Sequence, residues 1–237
     1  MPQRLPSRLL QAYEASRDTA LKAAADVARG VRGSGAALTA RQSPREVRSL
    51  KQREAASLRR WAEKSGRLLD PAAIDRAWRA QGCIGGQEND VCLVDRRVLK
   101  RNNLSFHLSY ADFFDRIVLH NLLFPGAPLR FEGLVEHGGE LLPVISQPPV
   151  RARRGATRGE VKTLMTRLGF ARIKQDDYRH PEGILVEDLH DENVFLDEDG
   201  QINVIDPVIF LEPARPRGKR SSSGSQHPSR QSLSMND

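Results

Sequence analysis

Three side chains in the stretch 186–208 have the types and the spacing needed for magnesium and proton chemistry. Asn193 follows Asp188 by five residues, and Asp206 lies beyond a turn signal, DEDG, at 197–200. In such a set one carboxylate accepts the proton of an attacking hydroxyl, while another carboxylate and an amide oxygen hold Mg²⁺ against phosphates. The strand-like runs on either side of the turn would aim Asn193 and Asp206 at one point, with Asp188 one short loop away. The spacing therefore predicts phosphoryl transfer.

The elements that must position these residues follow from the pattern of apolar residues. Gly82, Gly85 and Gly86 lead into an apolar run at 90–94, which a charged turn joins to a second run at 98–100. Short apolar runs around a charged turn are typical of a β-hairpin. Further along we expect a helix over 109–124, strands at 129–136 and 141–146, a break at the prolines of 147–150, a short helix over 159–170, and three closing strands in GILVEDL, NVFLD and INVIDPVIF.

The N-terminal part is predicted to be helical and basic. Its apolar residues recur at helical spacing, with the small polar Ser16 interrupting the first stripe, and 30–43 reads as a linker of small residues. Three helices are expected: one from Ser7 to Gly30, one that starts at a capping box of Ser43 and Glu46 and stops at Gly66, and a short one opened by Asp70 and Pro71.

The formal charge of +7 is unevenly distributed over the 237 residues. It is +9 over residues 1–80, −6 over 81–212 and +4 over 213–237. The last segment is rich in serine and almost free of apolar residues, so we expect it to be disordered. The basic ends have two interpretations, namely solvated helix faces or electrostatic contact with an acidic partner or nucleic acid.

Composition also bounds the cellular setting. The sequence has no apolar run of roughly 18 residues, so no membrane contact is expected, and the N-terminus lacks the long apolar core of a secretory signal. Cys83 and Cys92 match neither a disulfide framework nor a C-x-x-C motif, and we expect them to be small strand residues. A reduced, cytoplasmic location is therefore the default prediction.

The stretch D-L-H-D-E-N-V at 188–194, followed by I-D-P at 205–207, resembles the catalytic and metal-binding loops of the protein-kinase-like fold. The D-x-H-x-x-N spelling is closer to aminoglycoside and choline kinases than to eukaryotic protein kinases. The whole segment 70–212 is most similar to the small Ser/Thr/Tyr kinase-like domain found in polyvalent proteins of phages and other mobile elements. The features that carry this resemblance are GGQENDVCLVDRRVLK, HNLLFPG, ISQPPV, LGF and VEDLHDENV.

The resemblance implies an α+β fold of two lobes, with an antiparallel β N-lobe, a reduced C-lobe and an N-terminal helical extension. The corresponding domain boundaries are 1–69 for the basic helical extension, 70–212 for the kinase-like domain and 213–237 for the disordered tail. The three N-terminal helices would partly replace the missing large lobe by packing on the small C-terminal part.

The resemblance also implies ATP and Mg²⁺ as cofactors and assigns roles to individual residues. Asp188 matches the catalytic base, with Lys100 and Asn193 completing the catalytic set. Lys100 matches the lysine that pairs with nucleotide phosphates. The remaining matches are Gly85 and Gly86 for the loop over the phosphates, Gln147 in the hinge segment that meets adenine, and Asn193 and Asp206 for the metal ligands.

Departures from the kinase pattern leave several alternatives open. The helix at 109–124 has no Glu to hold Lys100 and offers only Asp112 and Asp115. Pro207 follows Asp206, and the chain has no activation loop or A-P-E motif. The phosphate acceptor, a protein Ser/Thr/Tyr or a small molecule, is therefore open. The alternatives to an active phosphotransferase are a nucleotide-binding pseudokinase or scaffold, and a basic protein of a mobile element that binds nucleic acid or another partner.

Overall fold

The computed structural model describes residues 7–32 and 43–212, and these form the predicted α+β fold. The tail at 213–237 and most of the predicted linker lie outside the described residues. Within the described part, no helix is both long enough and apolar enough to cross a membrane. The helices are α1 (Ser7–Ala15), α2 (Thr19–Arg32), α3 (Pro44–Ser65), α4 (Pro71–Gln81), α5 (Tyr110–Leu123) and α6 (Arg158–Arg167).

The strands form three sheets. They are β1 (Leu68–Leu69), β2 (Ile84–Gly85), β3 (Asn89–Val94), β4 (Arg97–Asn102), β5 (Arg130–His137), β6 (Glu140–Gln147), β7 (Ala152–Gly155), β8 (Ala171–Arg172), β9 (Tyr178–Arg179), β10 (Ile184–Glu187), β11 (Val194–Asp197), β12 (Ile202–Val204) and β13 (Val208–Leu211). The largest sheet has the order β1-β5-β6-β4-β3-β2 and is antiparallel except for the pair β1 and β5. The smaller sheets, β13-β10-β9-β8 and β12-β11-β7, lie in the C-terminal part of the fold.

The predicted β-hairpin is confirmed as β3 and β4. Asn89 pairs with Asn102 at one end of the ladder and Val94 with Arg97 at the other. The two residues of the turn, Asp95 and Arg96, have φ values of 48° and 62°. Positive φ at both central positions matches the right-handed twist of the strands, so the turn fixes the register that brings Lys100 to its place on β4.

The predicted helix from Ser7 to Gly30 is wrong in one respect, because it is two helices with a break at 16–18. Asp18 causes the break. Its Oδ1 accepts the backbone N–H of Leu21 at 2.9 Å, and its Oδ2 accepts that of Phe131 at 2.9 Å. An aspartate used in this way caps a helix and ties it to strand β5. Gly30 lies inside α2 and does not end it.

The capping box of α3 is confirmed. The Ser43 hydroxyl accepts the N–H of Glu46 at 3.3 Å, and the Glu46 carboxylate accepts the N–H of Ser43 at 2.7 Å. Gly66 ends the helix in the left-handed conformation, at φ 66°. Since each cap is worth about 1 kcal/mol, the ends of this helix are set locally by the sequence.

Helices α1 and α2 pack chiefly on α5, and α3 packs chiefly on α2. Leu9, Leu21 and Leu58 are fully buried, and they belong to the same apolar cluster as Phe114 and Ile117 of α5. The predicted contact with the C-terminal part is confined to the start of α1. There the N–H of Arg8 donates to Glu182 at 2.9 Å. The N-terminal helices therefore support α5 from outside.

Cys83 and Cys92 form a disulfide, which corrects the expectation that they are unpaired strand residues. Ile84 on β2 lies opposite Val91 on β3, so the next pair along this antiparallel ladder is Cys83 and Cys92. Their Cα atoms lie 4.6 Å apart, within the range that a disulfide spans. This pairing could not be predicted from the sequence, because β2 is only two residues long.

Reduction of this disulfide is expected to lower the free energy of unfolding by about 2–3 kcal/mol. The bond joins cysteines nine residues apart, and opening that loop returns conformational entropy to the unfolded chain. Urea unfolding with and without a phosphine reductant measures the difference. The Cys83→Ser/Cys92→Ser double variant is the control, because reductant should not affect it. An identical midpoint for the wild-type chain in both conditions would show that the bond contributes nothing.

Candidate active site

Asp188, His190 and Asn193 meet in the short loop between β10 and β11. The side-chain amide of Asn193 donates from Nδ2 to the backbone oxygen of Asp188 at 3.0 Å and to its Oδ2 at 3.1 Å. Nε2 of His190 lies 3.2 Å from Asp188 Oδ1 and 3.2 Å from Asn193 Nδ2. These contacts fix the Asp188 carboxylate, whose side chain remains 53% exposed. A fixed and accessible carboxylate is what a catalytic base requires.

The backbone of Asp188 is held in an unusual conformation. Its φ is 66°, in the left-handed region that aspartate tolerates better than most residues. The hydrogen bond from Asn193 to the Asp188 carbonyl closes this turn. Residues held in sparsely populated conformations cluster at functional sites, since only surrounding contacts keep them there.

Lys100 lies on β4 with its side chain buried, and it points at the segment before β13. Its Nζ donates to the backbone oxygen of Ile205 at 3.0 Å and lies 3.6 Å from Asp206 Oδ1. The Lys100 side chain is 6% exposed, whereas that of Asp206 is 54% exposed. The pair therefore presents one carboxylate to solvent and keeps one ammonium directly behind it.

Ile205 joins the two halves of the site. Its N–H donates to the backbone oxygen of Asn193 at 3.0 Å, while its own oxygen accepts from Lys100. The β11–β12 hairpin positions this residue, because Val194 pairs with Val204 directly before it. Asp188, Asn193, Asp206 and Lys100 therefore converge through an unbroken series of hydrogen bonds and ion pairs.

The oxygen atoms of this site fit a magnesium ion that is shared with a bound phosphate. Asn193 uses its amide nitrogen within the loop, which leaves its amide oxygen as a ligand, and Asp206 has a half-exposed carboxylate. Among the described residues there is no group of three or more His, Cys, Asp or Glu that would enclose a metal. Mg²⁺ commonly takes one or two protein oxygens and completes its octahedron with phosphate oxygens and water. The donor set matches that pattern.

Gly85 ends β2, and Gly86 begins the turn that leads to β3. The N–H of Gly86 donates to the backbone oxygen of Asn89 at 2.9 Å. A Cβ at Gly86 would lie 2.8 Å from that same oxygen, so the turn needs glycine at this position. Gly85 is exposed and pairs with Asp90, on the strand next to that of Lys100. Both glycines thus lie near the lysine in the sheet, without direct contact with it.

A largely buried cluster of charged side chains lies next to this turn. It was not predicted from the sequence. Glu88 Oε1 lies 2.7 Å from His107 Nε2 and 3.5 Å from Arg116 Nη1, and it also accepts from Asn102 at 3.1 Å. Burial would raise the pKa of the Glu88 carboxyl, but the hydrogen bond from His107 and the nearby charges of His107 and Arg116 lower it to about 2. The cluster connects the glycine turn to α5. The sequence feature that could have indicated this cluster is the acid Glu88, two residues after Gly86.

Neither aspartate of α5 holds Lys100 in the way that a Glu would. Asp112 accepts the N–H of Leu108 at 3.1 Å, and Asp115 accepts the hydroxyl of Tyr13 at 2.7 Å and pairs with Arg29. The lysine pairs with Asp206 instead. The side chains of α5 that surround the same cavity of about 40 Å³ as Lys100 and Asp206 include Arg116 and His120.

Gln147 lies at the end of β6 with its side chain turned inward. It is 2% exposed, and its Nε2 donates to the backbone oxygen of Ala127 at 2.7 Å. His120 Nε2 approaches the same oxygen at 3.0 Å. Burial is the main reason that the pKa of His120 falls to about 4, so the ring is neutral at pH 7 and donates to this oxygen. The Gln147 side chain is therefore engaged inside the protein, and residues 148–150 after it form neither helix nor strand.

Comparison with known proteins places most of the chain within a described family. A family model described as a serine/threonine/tyrosine kinase found in polyvalent proteins matches residues 51–213, which is more than half of the chain. The match begins within α3 and contains every residue of the site described above. No curated protein and no solved structure matches the chain.

Proposed function

Because this chain belongs to the family of serine/threonine/tyrosine kinases found in polyvalent proteins, we propose that it transfers the γ-phosphoryl group of ATP to a hydroxyl acceptor with the help of Mg²⁺. The observation that carries the proposal is the convergence of Asp188, Asn193, Asp206 and Lys100 through the backbone of Ile205. The acceptor is a protein Ser, Thr or Tyr hydroxyl, or the hydroxyl of a small molecule.

Asp188 is the proposed base. Its carboxylate takes the proton of the acceptor hydroxyl as the oxygen bonds to the γ-phosphorus, and the bond to the bridging oxygen breaks to release ADP. His190 and Asn193 hold both carboxylate oxygens, so the base does not have to be ordered during the reaction.

Lys100 and the metal ligands act on the phosphates. The Lys100 ammonium lies directly behind Asp206 and would contact phosphate oxygens as they approach the site. Asn193 Oδ1 and the Asp206 carboxylate would hold Mg²⁺, which, when bound, neutralises charge on the β- and γ-phosphates. Gly85 and Gly86 would lie over the phosphates, and the backbone at 148–150 would meet adenine.

We also propose a cytoplasmic location, where ATP and Mg²⁺ are abundant. In a reducing compartment the Cys83–Cys92 pair would be held as thiols, which makes the disulfide a feature of the oxidised protein. The basic N-terminal helices and tail would contact an acidic partner or nucleic acid.

Incubation with γ-labelled ATP tests the proposed function. Label is expected to enter an acceptor hydroxyl, including those of the chain's own Ser-rich segment at 221–234, in the presence of Mg²⁺ and not in EDTA. ATP labelled at the α-phosphate is the matched control, since it reports nucleotide that remains bound but not transferred. Equal label from both nucleotides, or transfer that persists in EDTA, would contradict the proposal.

One observation favours a second candidate, a nucleotide-binding pseudokinase. Among the described residues, the polar side chains that α5 contributes to the cavity beside Lys100 are Arg116 and His120. Neither is an acid that could form an ion pair with the lysine. For this candidate, a thermal shift with ATP and Mg²⁺ would be accompanied by no γ-label transfer. The complete set of Lys100, Asp188, Asn193 and Asp206 favours the active enzyme.

A further inference from the structure

A second cleft borders a different face of α5 from the cavity beside Lys100, and Leu129 lines both. It has a volume of about 640 Å³ and lies between the α1–α2 junction and the segment that joins α5 to β5. Volumes of this size are typical of sites that bind a ligand or a peptide side chain with its neighbours. One wall, from α1 and α2, precedes the region matched by the kinase family, which starts at residue 51. The cleft therefore exists only where the N-terminal extension packs on the kinase domain.

Three arginines line this cleft, and their charges are poorly compensated. Arg17 is exposed at the α1–α2 junction, Arg67 comes from the segment after α3, and Arg130 starts β5. Arg67 donates to the backbone oxygen of Glu132 at 3.2 Å, and no acid within 7–32 and 43–212 forms an ion pair with it. The Glu132 carboxylate lies 3.8 Å from Arg130 and also 3.8 Å from Arg97, so one carboxylate serves two guanidinium groups.

Among the described residues that line the cleft, Asp18 is the one acidic side chain, and both of its carboxylate oxygens are already occupied. Asp18 accepts the N–H of Leu21 with one carboxylate oxygen and the N–H of Phe131 with the other. It therefore serves the backbone and does not pair with the arginines. The cleft as a whole attracts negative charge.

The floor of the cleft is apolar. It includes the partly buried Leu122 and Leu129, with the fully buried Phe131 beneath them, and the exposed Ala15 lies at its edge. Single-stranded nucleic acid is usually held by exposed aromatic rings on which bases stack, and this buried ring offers no such surface. An apolar floor under a cationic rim instead suits a peptide that combines an aliphatic side chain with carboxylates.

We infer that this cleft binds an acidic peptide segment of a partner protein, with an aliphatic residue on its floor and carboxylates against Arg17, Arg67 and Arg130. Of the given residues outside the described ranges, 1–6 and 33–42 have one Arg each and no acid, and 213–237 carries a net charge of +4. None of these stretches supplies such a segment, so the occupant is a segment of a partner protein rather than one of them. This binding needs no ATP and does not rest on the proposed phosphotransfer.

Fluorescence anisotropy with a labelled peptide of sequence EELEELEE tests the inference on the full chain. Saturable binding is expected at physiological ionic strength, and the same peptide with glutamine in place of glutamate should not compete. The Arg17→Gln/Arg130→Gln variant is expected to bind about tenfold more weakly, from the loss of two charge contacts. Its matched control is Arg45→Gln/Arg48→Gln, which removes two exposed charges from α3 and should bind like wild type.

A second variant changes the shape of the cleft and keeps its charge. Ala15 is exposed at the end of α1 and lines the cleft, so Ala15→Trp is expected to weaken the peptide by a similar factor while leaving the circular dichroism spectrum unchanged. Four outcomes would overturn the inference: no saturable binding, equal competition by the glutamine peptide, equal weakening by the α3 control, or displacement by inorganic phosphate or oligouridine at lower concentrations than by unlabelled EELEELEE.

Discussion

The Asp206→Ala variant is expected to transfer phosphate on the order of 10³-fold more slowly than wild type, while remaining folded. Asp206 is the proposed carboxylate ligand of Mg²⁺, and no other carboxylate has been placed on the metal. Its side chain is 54% exposed, and its ion-pair partner Lys100 keeps a hydrogen bond to Ile205 when the carboxylate is removed. The loss should therefore fall on metal and phosphate binding, and the core should be preserved.

Initial rates of γ-label transfer against Mg²⁺ concentration measure this effect. Asp199→Ala is the matched control, because Asp199 is an exposed acid in the turn between β11 and β12, and its removal changes the net charge by the same amount. The control should keep the wild-type dependence on Mg²⁺. An Asp206→Ala variant with wild-type rates would remove Asp206 from the metal site.

Elements whose ends are set by local chemistry could be predicted from the sequence. The capping box of Ser43 and Glu46, the charged turn of the β3–β4 hairpin and the α5 helix all match the structure. In each case the residues that decide the element lie within a few positions of each other. The segment proposed to be catalytic could be recognised for the same reason, since Asp188 and Asn193 lie in one loop.

What could not be predicted depends on contacts between distant parts of the chain. Asp18 breaks the first helix because it caps α2 and also binds Phe131, 113 residues away. Strand β7 has the sequence ARRG, which has no strand pattern, and it forms because β11 offers it a partner. The same holds for the Cys83–Cys92 disulfide, which depends on the register of a two-residue strand.

The partner of Lys100 is the clearest case within the site. From the sequence, Asp112 and Asp115 were the acids on the helix that follows the lysine. In the structure Asp115 is engaged by Tyr13 and Arg29 of the N-terminal helices. Those helices precede the matched kinase region, and local pattern gives no sign of where they dock.

The Asp188→Asn variant is expected to lose phosphoryl transfer while it keeps its affinity for ATP. The substitution keeps the shape of the side chain, and its amide oxygen can still accept from one of the two neighbouring donors, Asn193 or His190, but an amide cannot take the proton of the acceptor hydroxyl. A positioned base contributes about 10²- to 10⁴-fold to the rate of a reaction. Asp191→Asn is the matched control, because Asp191 is an exposed acid three residues further along the same loop.

The most direct test of the account is the rate of γ-phosphate transfer by Asp188→Asn at saturating ATP and Mg²⁺, with ATP affinity measured on the same preparation. We predict that the rate falls by about 10²- to 10⁴-fold, with ATP affinity unchanged within about twofold, a difference of only about 0.4 kcal/mol, and that Asp191→Asn matches wild type. Transfer by Asp188→Asn at the wild-type rate would contradict the assignment of this loop as the catalytic centre.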